Sequence, residues 1–230
     1  MPLAEDVFLS RVGHDLRGEL ATIVAGVHYL IRYEANLGTT AKQMLERVDG
    51  AGQRMKRLLD EFDHATWIGG GDPSQLLREK VVLADVVGGV LERLAPQTAA
   101  RAVTIERAPL DALAVLQADG ELLGVALEYL VDFALARSAG GIVRIAGEGG
   151  VSLTIEDSGG ALEDPGIVGR LFDPFVEKEL APKQMTGGAK RRERLGLGLA
   201  IARGIFAAQG GSVSAEAAPG GLLFRCAMPA

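Results

Sequence analysis

Gly13-His14-Asp15-Leu16-Arg17-Gly18-Glu19-Leu20-Ala21-Thr22-Ile23-Val24-Ala25-Gly26-Val27-His28-Tyr29-Leu30 is the stretch from which the architecture can be read. Its apolar residues Leu16, Leu20, Ile23, Val27 and Leu30 recur at spacings of four, three, four and three. That rhythm lays one apolar seam along a helix, as in helices packed side by side. Met44, Val48, Ala51, Met55, Leu58 and Phe62 repeat it. Between the two seams, the segment from Glu34 to Thr40 supplies Gly38 as a helix stop and Thr39 as an N-cap. The first 68 residues therefore read as a helical hairpin. Two helices alone leave apolar stripe uncovered, so the simplest completion is a homodimer whose hairpins form a four-helix bundle.

Gly69-Gly70-Gly71-Asp72-Pro73-Ser74 is a cluster of chain breakers. It divides the sequence into a hairpin domain, 1–70, and a second domain, 71–230. Beyond it strands and helices alternate. Leu83 to Leu94 reads as helix, Val103 to Glu106 and Ala114 to Gln117 as strands, and Asp119 as the cap of a helix reaching Arg137. Ile142 to Ile145 and Val151 to Ile155 form a hairpin across Gly147-Glu148-Gly149-Gly150. A helix from Gly196 to Gln209 precedes strands at Ser212 to Glu216 and Leu222 to Met228. The class is α+β, with a mostly antiparallel sheet covered by helices on one face. Val176 to Arg194 follows no period and carries Lys183, Lys190, Arg191, Arg192 and Arg194. It reads as a solvated loop able to attract phosphate.

Composition narrows the function. A net charge of −6 argues against a general nucleic-acid binder. Cys226 is the single cysteine, which excludes an internal disulfide and a thiolate zinc cluster. No apolar run approaches the ~20 residues needed to cross a bilayer. Met1 to Ser10 lacks the basic and apolar regions of a secretory signal. A cytoplasmic protein without membrane insertion is the expectation.

Three places carry chemistry. His14 lies off the apolar seam among small and polar residues, and neutral imidazole is a competent nucleophile near its ordinary pKa of ~6.5. Asp15 beside it would take up its proton. Gly196-Leu197-Gly198, opening an apolar helix, lets backbone N–H groups approach phosphate oxygens. Asp157-Ser158-Gly159-Gly160 after a strand is either a tight turn or an acceptor for a base amino group. Glu128 and Asp132 lie four apart on one helix face, a pair suited to Mg²⁺ or to plain solvation.

Together these segments resemble the sensor histidine kinases of two-component systems over nearly the whole chain. Phe8 to Leu20, with His14-Asp15-Leu16-Arg17, resembles the H box. Gln53 to Phe62 resembles the end of the second dimerisation helix, and Glu128 to Arg137 stands at the N box. Asp157 to Gly160 resembles the G1 box, Leu171 to Phe175 the F box and Gly196 to Ile201 the G2 box. The resemblance implies an α/β sandwich ATP-binding domain like that of gyrase and the Hsp90 chaperones. It implies His14 as phosphoacceptor assisted by Asp15. It assigns Asp157, Gly159, Phe172, Phe175, Arg194, Gly196, Gly198 and Leu199 to ATP, and Glu128 and Asp132 to Mg²⁺. A response regulator receiver domain and an upstream sensor protein are the implied partners.

Several positions depart from the family pattern. Asp132 and Glu128 stand where the N box has asparagines, and Leu135 where it has a basic residue that Arg137 partly replaces. Ala161 replaces the last G1 glycine, and Arg194-Leu195 opens the G2 box in place of its leading glycine. Gly18-Glu19 replaces the Thr-Pro or Asn-Pro of the H box, which implies weak or absent phosphatase activity. The expected function is an ATP-dependent protein histidine kinase core. The alternative is a histidine phosphotransferase or docking protein with a degenerate ATP domain and no kinase activity of its own.

Overall fold

The computed structural model describes residues 3–34, 37–70, 73–108, 110, 115–162, 164–178, 180 and 196–229, with backbone alone at 3–12, 14, 15, 73, 165 and 178. They fall into two compact units, one within Met1–Gly71 and the other within Asp72–Gln184 and Gly196–Ala230. The basic residues expected in a phosphate-attracting loop, Lys183, Lys190, Arg191, Arg192 and Arg194, lie outside the described residues.

The first unit is the expected hairpin, α1 (Leu3–Tyr33) and α2 (Thr39–Gly70). Gly38 behaves differently from its reading as a stop. Its carbonyl accepts the Lys42 N–H at 3.0 Å, so it opens α2, and Thr39 is already helical. The α1 seam also resolves into two lines seven residues apart. Gly13, Leu20 and Val27 are buried. Leu16, Ile23 and Leu30 remain exposed, as do Met44, Val48 and Met55 of α2. Close packing of the helices depends on glycine, because a Cβ on Gly52 would come within 2.5 Å of Val24. Arg17 joins the helices through Asp63 and through Asp60 at 3.3 Å, and His28 meets Asp49 at 2.8 Å. The hydrogen bond that Arg17 donates to Asp63, foremost, raises the Arg17 pKa.

The second unit is built around α4 (Gly120–Arg137). This helix carries Leu123, Leu127, Leu130, Phe133 and Leu135 around most of its circumference, leaving only a narrow strip with Glu121 and Glu128 open to water. A helix apolar over so much of its surface must be enclosed. Here it packs between α3 (Leu83–Ala100) and α5 (Gly198–Ala208), and against the sheet. As expected, Asp119 caps it, accepting the Leu122 N–H at 3.0 Å. The same carboxylate accepts the Leu77 N–H, while the Asp119 N–H donates to buried Gln209. One residue thus fixes the start of α4 against the end of α5.

The sheet has the order β2-β4-β5-β7-β6, from β2 (Thr104–Arg107), β4 (Ile142–Gly149), β5 (Ser152–Asp157), β6 (Ser212–Ala218) and β7 (Gly221–Ala227). Only the β2–β4 pair is parallel, which agrees with a mostly antiparallel sheet. The β4–β5 turn lies further along than its glycines suggest, at Gly149 and Gly150, both with positive φ. Two features escaped the sequence. A short β1 (Glu79–Val82) pairs with β3 (Val115–Ala118) in a separate two-stranded sheet, and α3 continues past Pro96 to Ala100. Ile145, Leu153, Ile155 and Phe224 fill the core beneath α4, with the Phe133 ring edge-on to Phe224 at 5.8 Å.

Because Leu130 is fully enclosed, Leu130→Ala should destabilise the second unit by about 2–5 kcal/mol. Urea unfolding followed at the sheet signal measures this. A cost below ~1 kcal/mol would mean the helix is not held as described.

Candidate functional site

The turn after β5 has few conformational options. Asp157 Oδ1 accepts the Gly159 N–H at 2.8 Å, a local bond typical of aspartate turns. Gly160 has φ +80, and its N–H reaches the Gly220 carbonyl at 2.9 Å. A Cβ on Gly159 would stand 2.8 Å from the Arg137 carbonyl oxygen, and one on Gly221 would stand 2.3 Å from Asp157 Oδ1. Backbone therefore walls the Asp157 carboxylate on two sides, and glycine is required at both.

Arg137, at the last position of α4, closes the remaining side. Its Nε donates to Asp157 Oδ2 at 2.9 Å and its Nη2 to the Gly160 carbonyl at 2.8 Å. The Asp157 side chain is fully buried and that of Arg137 only 9% exposed. Burial, the larger influence, raises the Asp157 pKa, while Arg137 and the Gly159 and Leu222 N–H groups oppose the shift. A carboxyl with a raised folded pKa favours the fold below the ordinary carboxylate range, and that contribution is lost as pH rises through the raised value. Removing one partner from such a pair typically costs about 3–5 kcal/mol, because the other charge stays buried.

The candidate phosphate turn runs directly into α5. Gly196 has φ +83, and its carbonyl accepts the Phe175 N–H at 2.8 Å, tying the Leu171–Phe175 segment to the turn that opens α5. Phe175 itself has φ 72 and an exposed ring. A Cβ on Gly198 would come within 2.7 Å of the Tyr129 ring. Leu199 donates its N–H, one of the groups a helix start offers to anions, to Glu177. Phe172 is mainly a core residue, edge-on to Phe224 at 6.2 Å with Arg203 over its ring.

Glu128 and Asp132 do share a helix face, but that face turns towards α3. Glu128 Oε2 accepts from Arg93 Nε at 2.8 Å, and buried Asp132 Oδ1 accepts from Arg101 Nη1 at 2.7 Å. Glu128 lines a groove of about 640 Å³ beside Val82, Val86, Arg93 and Gly124. Tyr129, one residue on, is the side chain that meets Gly198. The physical reason is the 100° step between neighbours on a helix. The expectation that this pair holds Mg²⁺ therefore does not fit, since each carboxylate is already neutralised by an arginine. Among the described residues, no group of three or more His, Cys, Asp or Glu side chains is placed to hold a metal.

His14 and Asp15 lie within α1, and their side chains fall outside the described residues, as does Arg194. Sequence reasoning missed Tyr129, which lies inside the N box without a role assigned to it, and Glu177 and Gly221, which sit in no recognisable motif. It also missed Arg93 on α3 and Arg101 just past its end, neither of which shows its partner in the sequence.

Residues 111–230 match the family model for histidine kinase-, DNA gyrase B- and HSP90-like ATPases. Over 227 residues, the chain is 26% identical to sensor protein DivL of Caulobacter vibrioides, covering 96% of this chain and 28% of DivL. It is 25% identical to sensor histidine kinase ZraS of Klebsiella oxytoca, covering 95% of this chain and 44% of ZraS. The chain thus spans less than half the length of either relative. Full-length ShkA, solved in complex with AMPPNP, shares the fold with a TM-score of 0.72 at 20% identity, over 96% of this chain and 46% of ShkA. A hairpin followed by a helix-covered, mostly antiparallel sheet, with a family match over half its length, makes this chain a member of the histidine kinase-, DNA gyrase B- and HSP90-like ATPases.

Proposed function

We propose that the chain is a protein histidine kinase core that binds ATP in its second unit and transfers the γ-phosphoryl group to His14. The observation that supports this reading is the turn at Gly196, with its positive φ and hydrogen bond to Phe175, leading into the N-terminus of α5. Gly196, Gly198 and Leu199 would hold the phosphates through backbone N–H groups, and Asp157 with Gly159 would receive the base. An imidazole nitrogen of His14 attacks the γ-phosphorus as the bond to the β-phosphate oxygen breaks, and ADP leaves. Asp15 takes the imidazole proton. Positioning and charge stabilisation supply most of such a catalysis. The N box carboxylates do not fit magnesium, so no step is assigned to them.

The phosphoryl group would then pass to an aspartate of a response regulator receiver, with an upstream sensor protein setting the rate, in the cytoplasm. No described helix is long and apolar enough to cross a membrane. The domain division proposed from the sequence, 1–70 and 71–230, separates phosphoacceptor from ATP site. The alternative, a histidine phosphotransferase or docking protein, draws on one observation. Arg93, Arg101 and Arg137 hold the acidic groups that an active nucleotide site would use.

Incubation with γ-labelled ATP and divalent cation should give acid-labile label that disappears in His14→Ala. Label acquired only from a phosphorylated receiver would favour the phosphotransferase, and nucleotide binding with no label from either source would rule out both.

The exposed line of Leu16, Ile23 and Leu30 supports dimerisation of the hairpin. A second copy covers that line, giving a four-helix bundle. Light scattering should report twice the chain mass for the parent and a monomer for Ile23→Glu. A monomeric parent at micromolar concentration would refute this assembly.

A further inference from the structure

Resting on the nucleotide reading above, we infer that Arg137 is a latch on the base pocket: it occupies the acceptor that a base amino group needs, so ATP enters only when the guanidinium leaves Asp157. The carboxylate itself has nowhere to go. Oδ2 is taken by Arg137 Nε and Oδ1 by the Gly159 N–H, while the Leu222 N–H also bonds this carboxyl. Gly221 backs directly on Oδ1, and the Arg137 backbone closes on Gly159. Arg137 is the movable member. It ends α4, and among the described residues its Nη1 makes no hydrogen bond.

A guanidinium offers the same N–H donor character as the exocyclic amine of adenine, with a positive charge in addition. It also bridges two partners, Asp157 and the Gly160 carbonyl. Exchanging it for an amine replaces a charge-assisted bond with a weaker neutral one. The molecule therefore lowers its own affinity for ATP, and any group that draws Arg137 outward raises it. Phosphate alone has no quarrel with the latch, because the phosphate turn at Gly196–Gly198 is a separate element.

ATP and inorganic triphosphate are titrated calorimetrically into the parent chain, Arg137→Met, Arg137→Lys and the double variant Arg137→Met with Asp157→Asn, each checked for folding by circular dichroism. Arg137→Met should bind ATP about tenfold more tightly than the parent, with Arg137→Lys between them. Inorganic triphosphate should bind all four alike, and the double variant should lose the gain. The parent supplies a second measurement needing no substitution: the Arg137 Nε–H, protected from hydrogen exchange alone, should lose protection when ATP saturates the site. Unchanged or weaker ATP binding in the folded Lys and Met variants, or an Nε–H still protected with ATP bound, overturns the latch and leaves the nucleotide reading standing. If no chain binds ATP at all, both fall.

Discussion

Enclosure of α4 is the constraint on which the second unit depends. Leu123, Leu127, Leu130 and Leu135 are all essentially inaccessible, so the helix must be covered by α3, α5 and the sheet together. Any polar group on such a helix has to find a partner within the protein. Asp119 finds Leu77, Leu122 and Gln209, Asp132 finds Arg101, and Arg137 finds Asp157. The polar map of the candidate site is therefore a consequence of how completely the central helix is buried.

That consequence touches function directly. Groups that would meet a nucleotide's amine or a metal are satisfied by arginines, and one N–H at the start of α5 is satisfied by Glu177. Burying Asp132 and Asp157 costs desolvation energy, and their pairings with Arg101 and Arg137 offset it. A ligand must outcompete bonds the protein already makes. The glycine-rich turns, in contrast, hold their shape through backbone bonds and positive φ, independently of those side chains.

The hairpin shows the same economy of contact. Its sevenfold-spaced line of Gly13, Leu20 and Val27 is consumed in holding α1 to α2, with Arg17 and Asp63 as the polar clasp. The parallel line of Leu16, Ile23 and Leu30 is left over. One apolar seam in sequence thus divides into two lines in space, of which α2 covers one.

Sequence by itself determined the elements whose cause is local. The hairpin followed from apolar spacing, the start of α4 from the Asp119 cap, and the turn at Asp157–Gly160 from glycines beside a side-chain acceptor. These depend on residues within a few positions of one another. Tertiary structure alone decided which face of α4 meets which neighbour. It sent Glu128 and Asp132 to α3, Tyr129 to Gly198, and Arg137 to Asp157. It also paired β1 with β3 across more than thirty residues of chain and set β2 parallel to β4. A helical period says only which residues share a face, whereas the partner of that face is fixed by packing between segments far apart in the chain.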